Sequence, residues 1–152
     1  MSDLIQKESK HPVSREQIME LEDAIRTQLP PVDFNVLTKH HFADGIYLRE
    51  VLIPAGMVAV GKIHKTRHLT IIASGTVRIT TEEGVKEITG PAVFVSEPGT
   101  KKAAFAVTDT VVMNPHPNEE NTQNMSKLEE RLIAPSFDAI ESENLELLKQ
   151  EK

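Results

Sequence analysis

Cysteine is absent from this 152-residue chain, and so is tryptophan. The missing cysteine removes disulfides, thiolate zinc sites and a cysteine nucleophile in one step, and it fits a reducing compartment. One tyrosine and five phenylalanines are the whole aromatic inventory, so a core must be built mainly from Val, Ile, Leu, Ala and Phe. No apolar run approaches the ~20 residues that cross a bilayer. Met1 to Lys10 is polar with both signs of charge and does not read as a secretory leader. The expectation is a cytoplasmic protein with no membrane partner. No glycine-rich phosphate loop or dinucleotide fingerprint is present, and Ser74-Gly75 lacks the flanking glycines of a nucleophile elbow.

The length fits one domain and suffices to bury a core without disulfides or a structural metal. The net charge of −6 argues against general nucleic-acid binding. It is unevenly spread: residues 1–38 carry −3, residues 39–102 carry +3, and residues 103–152 carry −6. The middle of an acidic chain is therefore locally basic.

Residues 1–13 show no apolar period and read as an arm. Ser14 and Gln17 form a capping box. Ile18, Leu21, Ala24, Ile25 and Leu29 follow at helical spacing until Pro30-Pro31, which predicts a helix over 14–29 with one apolar stripe. From about residue 36 to 116 the pattern becomes short strands. These are Tyr47–Ile53, Met57–Ile63, Leu69–Ala73, Thr76–Thr81, Val85–Thr89, Val93–Ser96, Ala103–Val107 and Thr110–Met113, punctuated by Gly and Pro. Such punctuation predicts an all-β sandwich or barrel. A short helix is expected over Ser126–Ile133. Residues 134–152 read as an acidic tail with a helical pattern over Phe137–Leu148.

The segment Gly61-Lys62-Ile63-His64-Lys65-Thr66-Arg67-His68 is the most informative. With one strand ending near His64 and the next starting at His68, Lys62 and His64 share a strand face, and two imidazoles converge on one point inside a barrel. Imidazole ligates divalent transition metals, so a metal site needs a third ligand, with His116 the first candidate and His41 and Glu50 weaker ones. The alternative is that His64 and His68 are hydrogen-bonded pocket residues without a metal. Lys62, Lys65, Arg67, Lys101 and Lys102 bracket these histidines. Lys62 and Lys102 aimed inward make a cationic pocket suited to a carboxylate, phosphate or nucleotide, while Lys65, Arg67 and Lys101 read as a solvated rim. Tyr47, Arg49 and Val51 share one face of a strand with Glu50 on the other, and Arg49 with Glu50 reads as an ion pair at an interface.

Gly61, His64, the spacing from His68 to Gly75, and Gly90 to Pro98-Gly99 resemble the two sequence motifs of the cupins. The first cupin histidine falls on Lys62, the second on His64, the glutamate on His68, and the second-motif histidine on Lys102. Half of the family's ligand positions are thus imidazole and half lysine. The run from His40-His41 through Arg49-Glu50, Gly61 to His68-Leu69 and Pro98-Gly99 to His116-Pro117 looks like the small cupin-like proteins of tailed bacteriophages and prophages. That resemblance covers roughly residues 15–133. Members often carry Glu where this chain has Arg67, and the difference adds positive charge.

The resemblance implies a cupin barrel, a double-stranded β-helix or jelly roll, over 36–116 within one domain of residues 14–133, in bacterial or host cytoplasm. Three functions stay open. One is a barrel holding an anionic metabolite or nucleotide at Lys62, His64, His68, Lys102 and His116, sequestering it. Another is a metal-dependent isomerase, lyase or dioxygenase using His64, His68 and His116. The third is a phage structural or assembly protein with a vestigial pocket. A divalent transition metal is the one cofactor the residues admit. The apolar stripe of the helix, together with an open sheet edge, points to a homodimer or higher homo-oligomer.

Overall fold

The computed structural model describes residues 14–28, 33–81 and 83–134. The arm over 1–13, the Pro30-Pro31 stop and the acidic tail with its second helical pattern lie outside the described residues. Helix α1 spans Arg15–Gln28. Its capping box is formed: the Gln17 amide donates to Ser14 Oγ at 3.1 Å, and the Ser14 amide donates to Gln17 Oε1 at 2.9 Å. Ile18 and Leu21 are almost fully buried, and Glu22 pairs with Lys101.

Two antiparallel sheets follow. Strands β1 (Thr38–Ala43), β2 (Gly45–Ile53), β3 (Val58–Val60), β4 (Ile63–His64) and β5 (His68–Ser74) come first, then β6 (Thr76–Thr81), β7 (Gly84–Thr89), β8 (Ala92–Ser96), β9 (Ala103–Ala106) and β10 (Thr110–Asn118). The larger sheet runs β1-β2-β10-β5-β8 and the smaller β3-β9-β6-β7. Val51, Ile53 and Ala106 form one apolar cluster between the sheets, and Ile72, Val77 and Ile79 form another. Helix α2 (Met125–Leu132) starts at Asn124, whose Oδ1 accepts from the Lys127 amide at 3.2 Å. Its Leu128 and Leu132 pack on Tyr47 and close one end of the barrel. Strand β11 (Ile133–Ala134) then pairs with β4.

Three expectations from the sequence need correcting. The strand over Met57–Ile63 is interrupted: Gly61 still donates its amide to the Lys102 carbonyl in the register of the β3–β9 pair, and β4 then resumes at Ile63 with β11 as its partner. A further strand, β1, precedes β2 across a tight turn at Asp44-Gly45, where Gly45 has φ +74°. The last strand does not stop near Met113. It pairs with β2 through Asn118, across Pro115 and Pro117. Its ladder with β5 covers only Val111 to Met113. Proline has no amide hydrogen to donate, and two prolines at even spacing remove donors from the same side of the strand.

Gly75 joins β5 to β6 with φ +88°, and a Cβ there would collide with the Asp109 carbonyl and Thr110. Gly75→Ala is expected to lower stability by about 3 kcal/mol, through backbone strain plus the clash. A urea denaturation midpoint unchanged from wild type would contradict this.

Candidate functional site

The register of the larger sheet stacks its inward side chains in layers. His116 pairs across from Tyr47, Asn114 from Arg49, and Val112 from Val51. On the next strand, Val112 pairs with Ile72, and Asn114 Nδ2 donates to Thr70 Oγ1 at 3.0 Å. His68 pairs with Ser96 on β8. From the α2 end inward, the barrel therefore presents a layer of rings and histidines, then a polar layer, then an aliphatic floor. These layers surround a cavity of about 580 Å³.

The ring layer joins the three histidines. His64 and His68 have ring centroids 4.3 Å apart, His68 and His116 5.1 Å, and His64 and His116 5.4 Å. Tyr47 stacks on His116 at 6.0 Å and hydrogen-bonds His40 Nδ1 at 2.7 Å. The nearby Thr66 carbonyl, an acceptor only, takes a hydrogen bond from His68 Nδ1 at 3.0 Å, which leaves the lone pair on Nε2. Among the described residues His116 Nδ1 is buried without a partner.

Burial is the main reason these imidazoles stay neutral. It pushes His64 down to about 3, with further lowering from His68, His116, Lys102 and Arg49. Burial, then His68, Arg49 and Arg131, holds His116 down at about 4. His68 is also lowered by burial, against an opposing effect of its bond to Thr66.

The polar layer is a chain of hydrogen bonds. Asn114 donates to Thr70 Oγ1, and the Thr70 and Ser96 hydroxyls share a hydrogen bond of 2.7 Å. Ser96 Oγ also accepts from the Lys102 ammonium. Lys102 Nζ lies 4.9 Å from the Phe94 ring centroid, and burial lowers its pKa to about 8. Arg49 lines the same cavity, and burial lowers its pKa as well. Its guanidinium has no hydrogen-bond or ion-pair partner among the described residues. The acidic lining residues are Asp33 and Glu129, both exposed, and Glu129 is tied to Lys62 at 3.2 Å.

His64, His68, His116 and Lys102 thus meet around one cavity. Lys62 does not share the inward face of His64. It sits in the gap between β3 and β4, is exposed, and binds Glu129 at the cavity mouth. His41 and Glu50 pair with each other at 3.3 Å on the outer face of the sheet and supply no third ligand. Lys101 is not a solvated rim residue, since Glu22 of α1 covers it, whereas Arg67 is exposed and paired with Glu97. Arg49 and Glu50 point to opposite faces and form no pair. Arg49 is the site residue the sequence reading misplaced. Strand parity with Tyr47, Val51 and Ile53 was the signal that could have placed it inside.

The metal that a cupin barrel brings to mind does not fit this arrangement. Ligands of one ion present ring nitrogens to it, but the His64 and His116 rings stack face to face at 15°, with His68 tilted by 38° and 40° to them. Among the described residues no group of three or more His, Asp or Glu is placed to hold a metal ion. Lys102 and Arg49 add positive charge beside the rings.

The neutral histidines make stability depend on pH. His64 and His116 have folded-state values below the ordinary 6.5, so the unfolded chain binds more protons between pH 6.5 and about 4. This contribution is complete above pH 6.5 and is lost as the pH falls, by up to about 1.4 kcal/mol per unit for each histidine. In urea denaturation at pH 7, 6 and 5, His116→Asn should flatten the decline. An equal slope in wild type and variant would refute the assignment.

No family model and no curated protein matches this sequence. Its fold resembles solved cupin structures. A cupin-2 domain protein from Shewanella frigidimarina is 13% identical, with TM-score 0.44, over 62% of this chain and 99% of that one. An RmlC-like cupin from the same organism is 14% identical, with TM-score 0.47, over 80% of this chain and 99% of that one. The cupin domain of Schizosaccharomyces pombe Cnp3 is 13% identical, with TM-score 0.45, over 62% and 68%. The chain itself has two antiparallel sheets closed around an inward-facing cavity, a mostly β, barrel-like fold.

Proposed function

We propose that the barrel binds a small anion of the carboxylate or phosphate class, such as an anionic metabolite or nucleotide, and holds it rather than transforming it. One observation carries this reading. Arg49 and Lys102 face the same cavity, and among the described residues no buried carboxylate neutralises either of them. Taking an unpaired charge out of water costs several kcal/mol, and an anion between the two cations offsets that cost with charge-assisted hydrogen bonds. The Arg49 guanidinium and Lys102 ammonium are donors only, which suits an acceptor-rich ligand. The volume lies within the usual range for small-molecule sites. Among the described residues the cavity lining holds no pair of buried carboxylates, which favours holding over acid–base chemistry of that kind. Resemblance to the phage cupin-like proteins extends the reading to sequestration of a host metabolite or nucleotide.

Calorimetric titration of the full chain with inorganic phosphate, adenosine monophosphate and a dicarboxylate tests this. Binding of at least one is expected, with Arg49→Ala or Lys102→Ala weakening it about 10- to 100-fold. Lys102→Met should also leave the ligand-free fold as stable as wild type or slightly more so, because it removes a half-buried cation that has no carboxylate partner among the described residues. Absence of binding across the set overturns the reading. Tight binding of nickel or zinc that depends on His64 and His68 replaces it with the metal-enzyme reading.

A further inference from the structure

The cavity has two neighbouring layers of different hydrogen-bonding chemistry. In one, Arg49 and Lys102 present donors alone. In the other, His64, His68 and His116 have ring centroids 4.3 to 5.4 Å apart. Burial favours the uncharged ring in all three, and a neutral imidazole carries one N–H and one lone pair. His68 spends its N–H on the Thr66 carbonyl, so its Nε2 keeps a lone pair. His116 is only 3% exposed, and its Nδ1 has no partner among the described residues. Neither ring nitrogen of His64 has a hydrogen-bond partner among them either. All three rings line the cavity.

Each layer therefore suits a different group. The cations suit an acceptor-rich anion. The imidazoles suit a group that donates and accepts at once, as a hydroxyl does and an ionised carboxylate does not. An ammonium would add a third cation beside Arg49 and Lys102, where no lining carboxylate is buried among the described residues. Leu128 and Leu132 close this end of the barrel, so a hydrogen bond made here is little weakened by water. The layers lie two residues apart, from Arg49 to Tyr47 on β2 and from Asn114 to His116 on β10. A volume of about 580 Å³ is that of an organic molecule rather than a bare ion.

We infer that His64, His68 and His116 form a second subsite that reads a hydroxyl, and that the ligand is a hydroxylated organic anion whose hydroxyl lies about 7 Å from its charged end, two residues' rise along a strand. This inference rests on the anion reading of Arg49 and Lys102 and adds the neutral part of the ligand to it. Leaving an almost fully buried imidazole unpartnered is unfavourable, and a hydroxyl bonded within the ring layer offsets that.

Calorimetric titration of the full chain with two matched pairs tests this. One pair is 6-hydroxyhexanoate and hexanoate, which differ by a single hydroxyl. The other is ribose 5-phosphate and n-pentyl phosphate, which share a phosphate and the carbon count. In at least one pair the hydroxylated member should bind at least about tenfold more tightly. His68→Leu and His116→Leu should each bring that ratio close to one, while the hydroxyl-free member binds no more weakly than to wild type. Arg49→Ala should instead weaken both members and leave the ratio unchanged. Far-ultraviolet circular dichroism checks the fold, and if one leucine variant does not fold, the other decides. Equal affinity within both pairs, or a ratio that survives the leucine variants, overturns the inference and leaves the anion reading standing. Binding of neither pair overturns the inference too, and inorganic phosphate, adenosine monophosphate and the dicarboxylate then show whether the anion reading falls with it.

Discussion

The nine-residue antiparallel pairing of β2 with β10 sets the interior of this barrel. Each strand alternates strictly, so each pair of facing positions adds one layer. The composition of the layers changes along the strands. Ile53 and Thr110 lie at one end, Val51 with Val112 next, then Arg49 with Asn114, and finally Tyr47 with His116. A slip of one residue would turn every one of these side chains to the outside and place Glu50 and Met113 within. The aliphatic layers fix the register through burial, and the polar layer is positioned by that register without contributing to it.

That division of labour explains the electrostatics. The cations and imidazoles are held in a low-dielectric space by apolar layers on both sides, the floor beneath and α2 above. Desolvation is the first cause of every lowered value among His64, His68, His116, Lys102 and Arg49. Repulsion from neighbouring cations and rings comes second for His64 and His116. Neutral imidazoles cost little in such a place, while a guanidinium and an ammonium cost much. The interior thus has two kinds of nitrogen, one comfortable without a counter-ion and one not.

Much of the fold was legible because period-two alternation and Gly/Pro punctuation report local backbone geometry. The capping box of α1, most strand positions and α2 could be read in that way. Joining His64 with His68 was legible as well, since two strand ends separated by three residues must be neighbours. What could not be read depended on long-range pairing. Lys62 looked inward only while β3 and β4 were taken as one strand, and the break lies in a change of partner, from β9 for β3 to β11 for β4. Arg49 beside Glu50 looked like an ion pair, although neighbours in a strand face opposite ways. The last strand reads in sequence only as far as Met113, yet it runs on across Pro115 and Pro117, because their missing donors matter only on the side where a neighbour needs them.

Those two prolines have a mechanical consequence. Beyond Met113, β10 stays laced to β2 by its backbone, but the seam toward β5 lacks a ladder. Asn114 spans that seam with a side-chain amide, donating to the Leu69 carbonyl at 3.3 Å and to Thr70. His68 and His116 face each other across the same seam. The barrel wall therefore has a stiff side and a compliant side at the histidine end. Widening it there stretches one amide contact and a stack of rings, whereas widening it between β1, β2 and β10 would break a run of backbone bonds. The wall yields where the histidines are, and the rest of the cylinder keeps its gauge.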